Sequence, residues 1–67
     1  MTVLAERLRY LRFKSGVKQF VASQQIGVHK QSLCRYEKGT KQPTIETLVK
    51  LAKYYQVSTD YLLGLVD

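Results

Sequence analysis

A chain of 67 residues, 45% of them hydrophobic, suits one small domain with a packed core and argues against disorder. Eleven lysines and arginines against five acidic residues give a net charge of +6, which favours a polyanionic partner, although the same charge would also serve solubility alone. The single Cys34 excludes an internal disulfide and gives no metal-ligand spacing, and no apolar run approaches membrane-spanning length. We therefore expect a protein of the reducing cytoplasm that needs no cofactor.

The first predicted helix runs from about Val3 to Lys14. Apolar residues recur on one of its faces, at Leu4, Leu8 and Leu11. Thr2 suits the N-cap position and Gly16 the position after the last turn. Tyr10 and Phe13 lie off the apolar stripe, so their burial stays open.

Two shorter helical patterns follow, at about Lys18 to Gln25 and His29 to Lys38, separated by Gly27. Two short helices joined by a tight turn that contains glycine form a helix-turn-helix unit. At the third predicted helix, His29 to Lys38, the residues expected to point inward are Val28, Leu33 and Tyr36. The wetter faces carry His29, Lys30, Gln31, Cys34, Arg35 and Lys38. The side chains of this helix that are able to contact nucleic acid are His29, Lys30, Gln31, Ser32 and Arg35.

The remaining chain predicts two further helices after a loop over residues 39–43. Thr44 suits the N-cap of the fourth helix, whose apolar stripe is Ile45, Leu48, Leu51, Ala52 and Tyr55. Ser58 suits the N-cap of a last helix that Gly64 ends. Five helical patterns with short connections, and no strand pattern, indicate one compact all-α domain over residues 1–67.

The chain resembles the Cro and phage-repressor-type helix-turn-helix family. The matching stretches are LRYLRFKSG (8–16), Gln19, IGV (26–28) and YEKGTKQPTIETLVKLAKYYQVSTDYLLG (36–64). The resemblance implies a five-helix, lambda-repressor-like DNA-binding domain. In this family the third helix enters the major groove of DNA and the second lies across the DNA backbone.

The resemblance also implies roles for individual residues. Base contacts fall on His29, Lys30, Gln31 and Cys34. Contacts with the DNA backbone fall on Gln19, Arg35, Lys38, Thr40 and Lys41, and the family's interhelical ion pair falls on Arg12 and Glu37. Lysine suits guanine acceptors and glutamine suits adenine, whereas the competing interpretation is a merely solvated helix face. Cys34 could also act as a redox switch, but a lone cysteine without an activating neighbour is usually inert.

The chain departs from the family pattern at three places. Lys18 stands where a capping Ser, Thr or Asn is usual, so the side-chain cap of the second helix should be missing or supplied by another group. The Val21-Ala22-Ser23 run replaces the usual Glu-Leu-Ala, so a smaller residue takes a core leucine position. His29 replaces a more common Ser or Thr at the start of the third helix.

The C-terminal residues are more apolar than a fully solvated helix requires. The interface of a two-fold dimer is one interpretation, with Tyr61, Leu62, Leu65 and Val66 as its candidate residues. The alternative is that the whole segment folds back into the core of one subunit.

Together these features predict a sequence-specific transcriptional regulator, a repressor that binds a palindromic operator in double-stranded DNA as a homodimer. An enzyme is not expected, because no catalytic constellation is present. The alternative is a protein-interaction module or an antitoxin-like partner with the same fold. A protein antagonist or an effector domain stays open as a further partner, as does a fragment of a longer regulator.

Overall fold

The computed structural model describes residues 2–67, and over those residues it consists of five α-helices joined by short loops. The helices are α1 (Val3–Ser15), α2 (Gln19–Ile26), α3 (Lys30–Lys38), α4 (Ile45–Tyr55) and α5 (Thr59–Leu63). The prediction of an all-α fold with five helices is confirmed, and no predicted helix end differs from the observed one by more than one residue. Within residues 2–67, no helix is long and apolar enough to cross a membrane.

Three of the five helices begin with a hydroxyl cap. The capping residues, each accepting a hydrogen bond from a main-chain N–H of the first turn, are Thr2, Thr44 and Ser58. The residues before α2 and α3 are Lys18 and His29, and neither side chain forms a cap hydrogen bond. Of the two outcomes expected for the second helix, the structure therefore shows the missing cap, and neither N-cap residue offers a side-chain acceptor to the first turn of α2 or α3.

Each helix contributes at least one fully buried apolar side chain, and one from each helix belongs to a single core cluster. These five residues, all with 0% exposure, are Leu8, Ala22, Leu33, Leu51 and Leu62. Full burial of a leucine side chain stabilises a fold by roughly 1.5–3 kcal/mol. Since α1 packs against α3 and α5, and α2 against α3 and α4, the inner face of α3 is held by α1 and α2. Its outer face stays open.

The Val21-Ala22-Ser23 run packs without the leucine that the family usually has there. Ala22 is fully buried and Ser23 is 2% exposed, whereas Val21 faces outward. The Ser23 hydroxyl donates a 2.7 Å hydrogen bond to the carbonyl oxygen of Phe20. The buried hydroxyl is therefore satisfied, and two small side chains fill the position.

The apolar stripe predicted for the fourth helix is wrong at its first residue. Leu51 and Ala52 are buried and Tyr55 is partly buried, but Ile45 is 82% exposed. Ile45 is the first residue of α4, so its side chain lies beyond the part of the helix that packs against the core.

Candidate nucleic-acid interface

The outer face of α3 and the first residue of α2 border an open surface groove of about 250 Å³. Its six lining side chains were all predicted contact residues: Gln19, Lys30, Gln31, Cys34, Arg35 and Lys38. The five from α3 share one face of that helix, since their spacing follows its 3.6-residue turn. Three of the six are cationic and none is acidic, so the groove suits an anionic ligand.

The other predicted contact residues lie at the two ends of α3 and do not line the groove. His29 is exposed and immediately precedes the helix. The main-chain N–H of Thr40 donates a 3.1 Å hydrogen bond to the Arg35 carbonyl, which satisfies a carbonyl of the last turn. The Lys41 ammonium lies 6.0 Å from the centre of the Tyr36 ring.

The exposed acidic side chains lie outside α2 and α3. Three of them belong to the first turn of α1, α4 or α5, where a carboxylate interacts favourably with the helix dipole: Glu6, Glu46 and Asp60. The fourth, Asp67, follows α5. Within α2 and α3 the acidic residue is Glu37, which is 3% exposed. The positive charge of the groove is therefore not offset by exposed acidic side chains on its own helices.

Arg12 of α1 and Glu37 of α3 form an ion pair behind the groove. Arg12 Nε lies 2.8 Å from Glu37 Oε2, and the two side chains are 25% and 4% exposed. The hydrogen bond to Glu37 raises the pKa of Arg12 above its ordinary value, despite the opposing effect of burial. The same guanidinium donates a 3.2 Å hydrogen bond to the Val17 carbonyl in the loop before α2. The pair therefore links α1, that loop and the last turn of α3.

A second arginine of α1 also contacts Glu37 and was missed from the sequence. Arg9 donates a 2.8 Å hydrogen bond from its guanidinium to the main-chain carbonyl of Glu37. Its position three residues before Arg12 places both side chains on one face of α1, and this spacing could have indicated a shared target.

Tyr55 of α4 interacts electrostatically with the same carboxylate. Its hydroxyl is buried and has no hydrogen-bond partner among the described residues. Burial, together with the negative charge of Glu37, raises the pKa of Tyr55 to about 12. The phenol therefore stays protonated well into the alkaline range.

The four predicted dimer residues differ in their surroundings. Leu62 is 0% exposed, so its assignment to a dimer interface is wrong; the side chain fills the subunit's own core. Leu65 and Val66 are 70% and 48% exposed, and Tyr61 is partly buried.

Arg7 of α1 holds the C-terminal segment in place. Its guanidinium lies 4.3 Å from the centre of the Tyr61 ring and donates hydrogen bonds to the carbonyls of Tyr61 and Val66. Gly64 between them has φ +81°, and a Cβ there would lie 2.8 Å from Val3 Cγ1. Only glycine combines this backbone conformation with such close packing against α1.

Comparison with known proteins places the chain in the helix-turn-helix family. The helix-turn-helix family model matches residues 8–62. The HTH-type transcriptional regulator ImmR of Bacillus subtilis (strain 168) is 41% identical over 61 residues, which are 91% of this chain and 48% of that protein. The cryptic phage CTXphi transcriptional repressor RstR of Vibrio cholerae is 40% identical over 55 residues, 82% of this chain and 50% of that protein. The chain thus spans about half the length of these relatives.

One similar solved structure contains DNA. It is the crystal structure of the P22 c2 repressor protein, from a phage of Salmonella, in complex with synthetic operator 9T. It matches with a TM-score of 0.88 and 32% identity, over 94% of this chain and 96% of that one.

Proposed function

This chain belongs to the phage-repressor type of the helix-turn-helix family, and from that premise we propose that residues 1–67 form one DNA-binding domain of a sequence-specific transcriptional repressor. The observation that carries the proposal is the groove on α3, which has three cationic side chains and no acidic one. Such a surface binds the phosphates of DNA and releases their counterions. The P22 repressor, which has the same fold, binds an operator.

The base contacts that we propose lie on and just before α3, with that helix in the major groove. They are His29, Lys30, Gln31 and Cys34. The ammonium of Lys30 suits guanine acceptors, and the amide of Gln31 can donate to N7 and accept from N6 of adenine. Both residues line the groove at the start of α3, the end that contacts base edges in helix-turn-helix proteins.

The residues that we propose to contact the DNA backbone surround these base-contacting residues. They are Gln19, Arg35, Lys38, Thr40 and Lys41. Gln19 is the first residue of α2, where no side-chain cap competes for the main-chain N–H groups, so these can donate to a phosphate. The cationic side chains among them bind phosphates. These contacts fix the position of the protein along the duplex but do not read its sequence.

The active form that we propose is a homodimer on a palindromic operator. Its interface contains Tyr61, Leu65 and Val66, which Arg7 and Gly64 hold against α1. A two-fold pair would place two copies of α3 roughly 34–36 Å apart, one turn of DNA. Repression would follow from occupying a promoter and excluding the polymerase.

Selection of bound sequences from a random pool of duplex DNA tests the proposal. We expect an enriched inverted repeat, and affinity for it that falls steeply as salt rises. A charge-matched pair of variants supplies the control. Lys38→Glu, in the groove, should abolish enrichment, whereas Lys53→Glu, on α4 outside the groove, should preserve it.

The result that would overturn the proposal is a pool without enrichment together with no salt-sensitive binding to random duplex. That outcome would favour the alternative class, a protein-interaction module or an antitoxin-like partner that uses this fold without reading DNA.

A further inference from the structure

The carboxylate of Glu37 reaches the groove through Gln19. Glu37 Oε1 accepts a 3.1 Å hydrogen bond from Gln19 Nε2, in addition to the bonds that Arg12 donates. Gln19 lines the groove, whereas Glu37 is 3% exposed and lies behind it. One side chain therefore connects a buried charge with the surface proposed to bind DNA.

This hydrogen bond fixes the orientation of the Gln19 side-chain amide. An ionised carboxylate only accepts hydrogen bonds, so it attracts the NH₂ group of the amide and repels its oxygen. Both carboxylate oxygens of Glu37 also accept hydrogen bonds from the Arg12 guanidinium in the ion pair. With Nε2 turned toward Glu37, the oxygen Oε1 is the amide atom left to face the groove.

We propose that Glu37 is a positioning residue for DNA recognition, in addition to its place in the ion pair. It holds the Gln19 amide with its oxygen toward the groove, where that oxygen accepts a hydrogen bond from the donors of the protein–DNA interface. A reversed amide would present two N–H donors to a groove that already carries three cations. The inference rests on the proposed DNA binding, and it concerns how a buried residue positions a side chain of that same site.

A double-mutant cycle on operator affinity tests the proposal. The variants are Gln19→Ala, Glu37→Gln and the two combined, measured by fluorescence anisotropy under conditions where circular dichroism shows each to be folded. Glu37→Gln keeps the shape of the side chain, but its amide can donate as well as accept, so Gln19 loses its fixed orientation. Each single change should weaken binding about tenfold, the value of one hydrogen bond.

The double variant separates positioning from general destabilisation. If Glu37 acts through Gln19, the double variant should bind about as well as Gln19→Ala alone. Independent effects would multiply to about a hundredfold loss, and that result would overturn the proposal. Leu51→Val, a core change on α4, is the matched control: it should lower the free energy of unfolding without changing the affinity of the folded protein.

A second measurement applies even if Glu37→Gln does not fold. In the free wild-type protein, nuclear magnetic resonance should show one Gln19 side-chain amide proton shifted downfield and protected from solvent exchange. Amide protons that exchange freely would overturn the proposal. Failure of the wild-type protein to bind any duplex would instead refute the proposed function, because the Gln19–Glu37 hydrogen bond would still be detectable.

Discussion

Replacing Glu37 with alanine removes a carboxylate that is 4% exposed and leaves the Arg12 guanidinium and the Gln19 amide without their partner. Breaking a buried ion pair typically costs about 3–5 kcal/mol, because the remaining charge is uncompensated. Since 25% of the Arg12 side chain is exposed, water recovers part of that cost, and we expect a loss of about 2–4 kcal/mol. The free energy of unfolding of a domain this size is roughly 3–10 kcal/mol. The melting temperature should therefore fall by roughly 10–25 °C.

Urea unfolding followed by circular dichroism measures this loss, and a second glutamate supplies the control. Glu46 is exposed and its carboxylate lies 4.0 Å from Lys50 in a surface ion pair, so Glu46→Ala should change stability by no more than about 0.5 kcal/mol. Joint replacement of Arg12 and Glu37 by leucine should recover most of the loss, because no unpaired charge then remains. Equal losses for the two glutamates, or a loss below about 1 kcal/mol for Glu37→Ala, would refute the reasoning.

Four further predictions concern DNA binding, assembly and titration. Gln31→Ala should relax the preference at one base pair by roughly 1–3 kcal/mol in competition titrations; uniform weakening at all sites would contradict its role as a reader. Lys41→Ala should reduce the slope of log affinity against log salt by roughly one unit, whereas Lys53→Ala on α4 should leave the slope unchanged. Leu65→Glu should shift sedimentation toward the monomer and weaken binding to an inverted repeat more than to a half-site; an unchanged mass would exclude the proposed interface. In a phenolate absorbance titration, Tyr55 should lose its proton only near pH 12. The folded state holds its proton more tightly than the unfolded state, whose pKa is near 10.0. This contribution to stability is therefore complete below pH 10 and is lost as the pH rises through 12; Tyr55→Phe should remove the effect, and titration of every tyrosine near pH 10 would disprove it.

Predictions that depend on neighbouring residues in the chain were the accurate ones. The hydroxyl caps at Thr2, Thr44 and Ser58 and the missing cap at Lys18 match the structure, because a cap involves atoms only a few residues apart. The grouping of polar side chains on α3 could equally be predicted from the sequence, since helical periodicity alone places them on one face.

Burial at the ends of helices was less predictable. Ile45 continues the apolar stripe of its helix and is nevertheless 82% exposed, whereas Leu62, assigned to a dimer interface, is fully buried. Periodicity says which residues share a face, but the extent of the neighbouring helices decides how far along that face the core reaches.

The amino-acid sequence by itself determined the number of helices, their ends and the residues on the outer face of α3, because propensity, capping and periodicity act over a few residues. Only the tertiary structure decided that Arg9, Arg12 and Gln19 all converge on Glu37. Their contacts span 18 to 28 residues of chain, and the packing of α1 and α2 against α3 sets them. A buried carboxylate needs hydrogen-bond donors from the helices that surround it. The local sequence pattern does not indicate which helices those are.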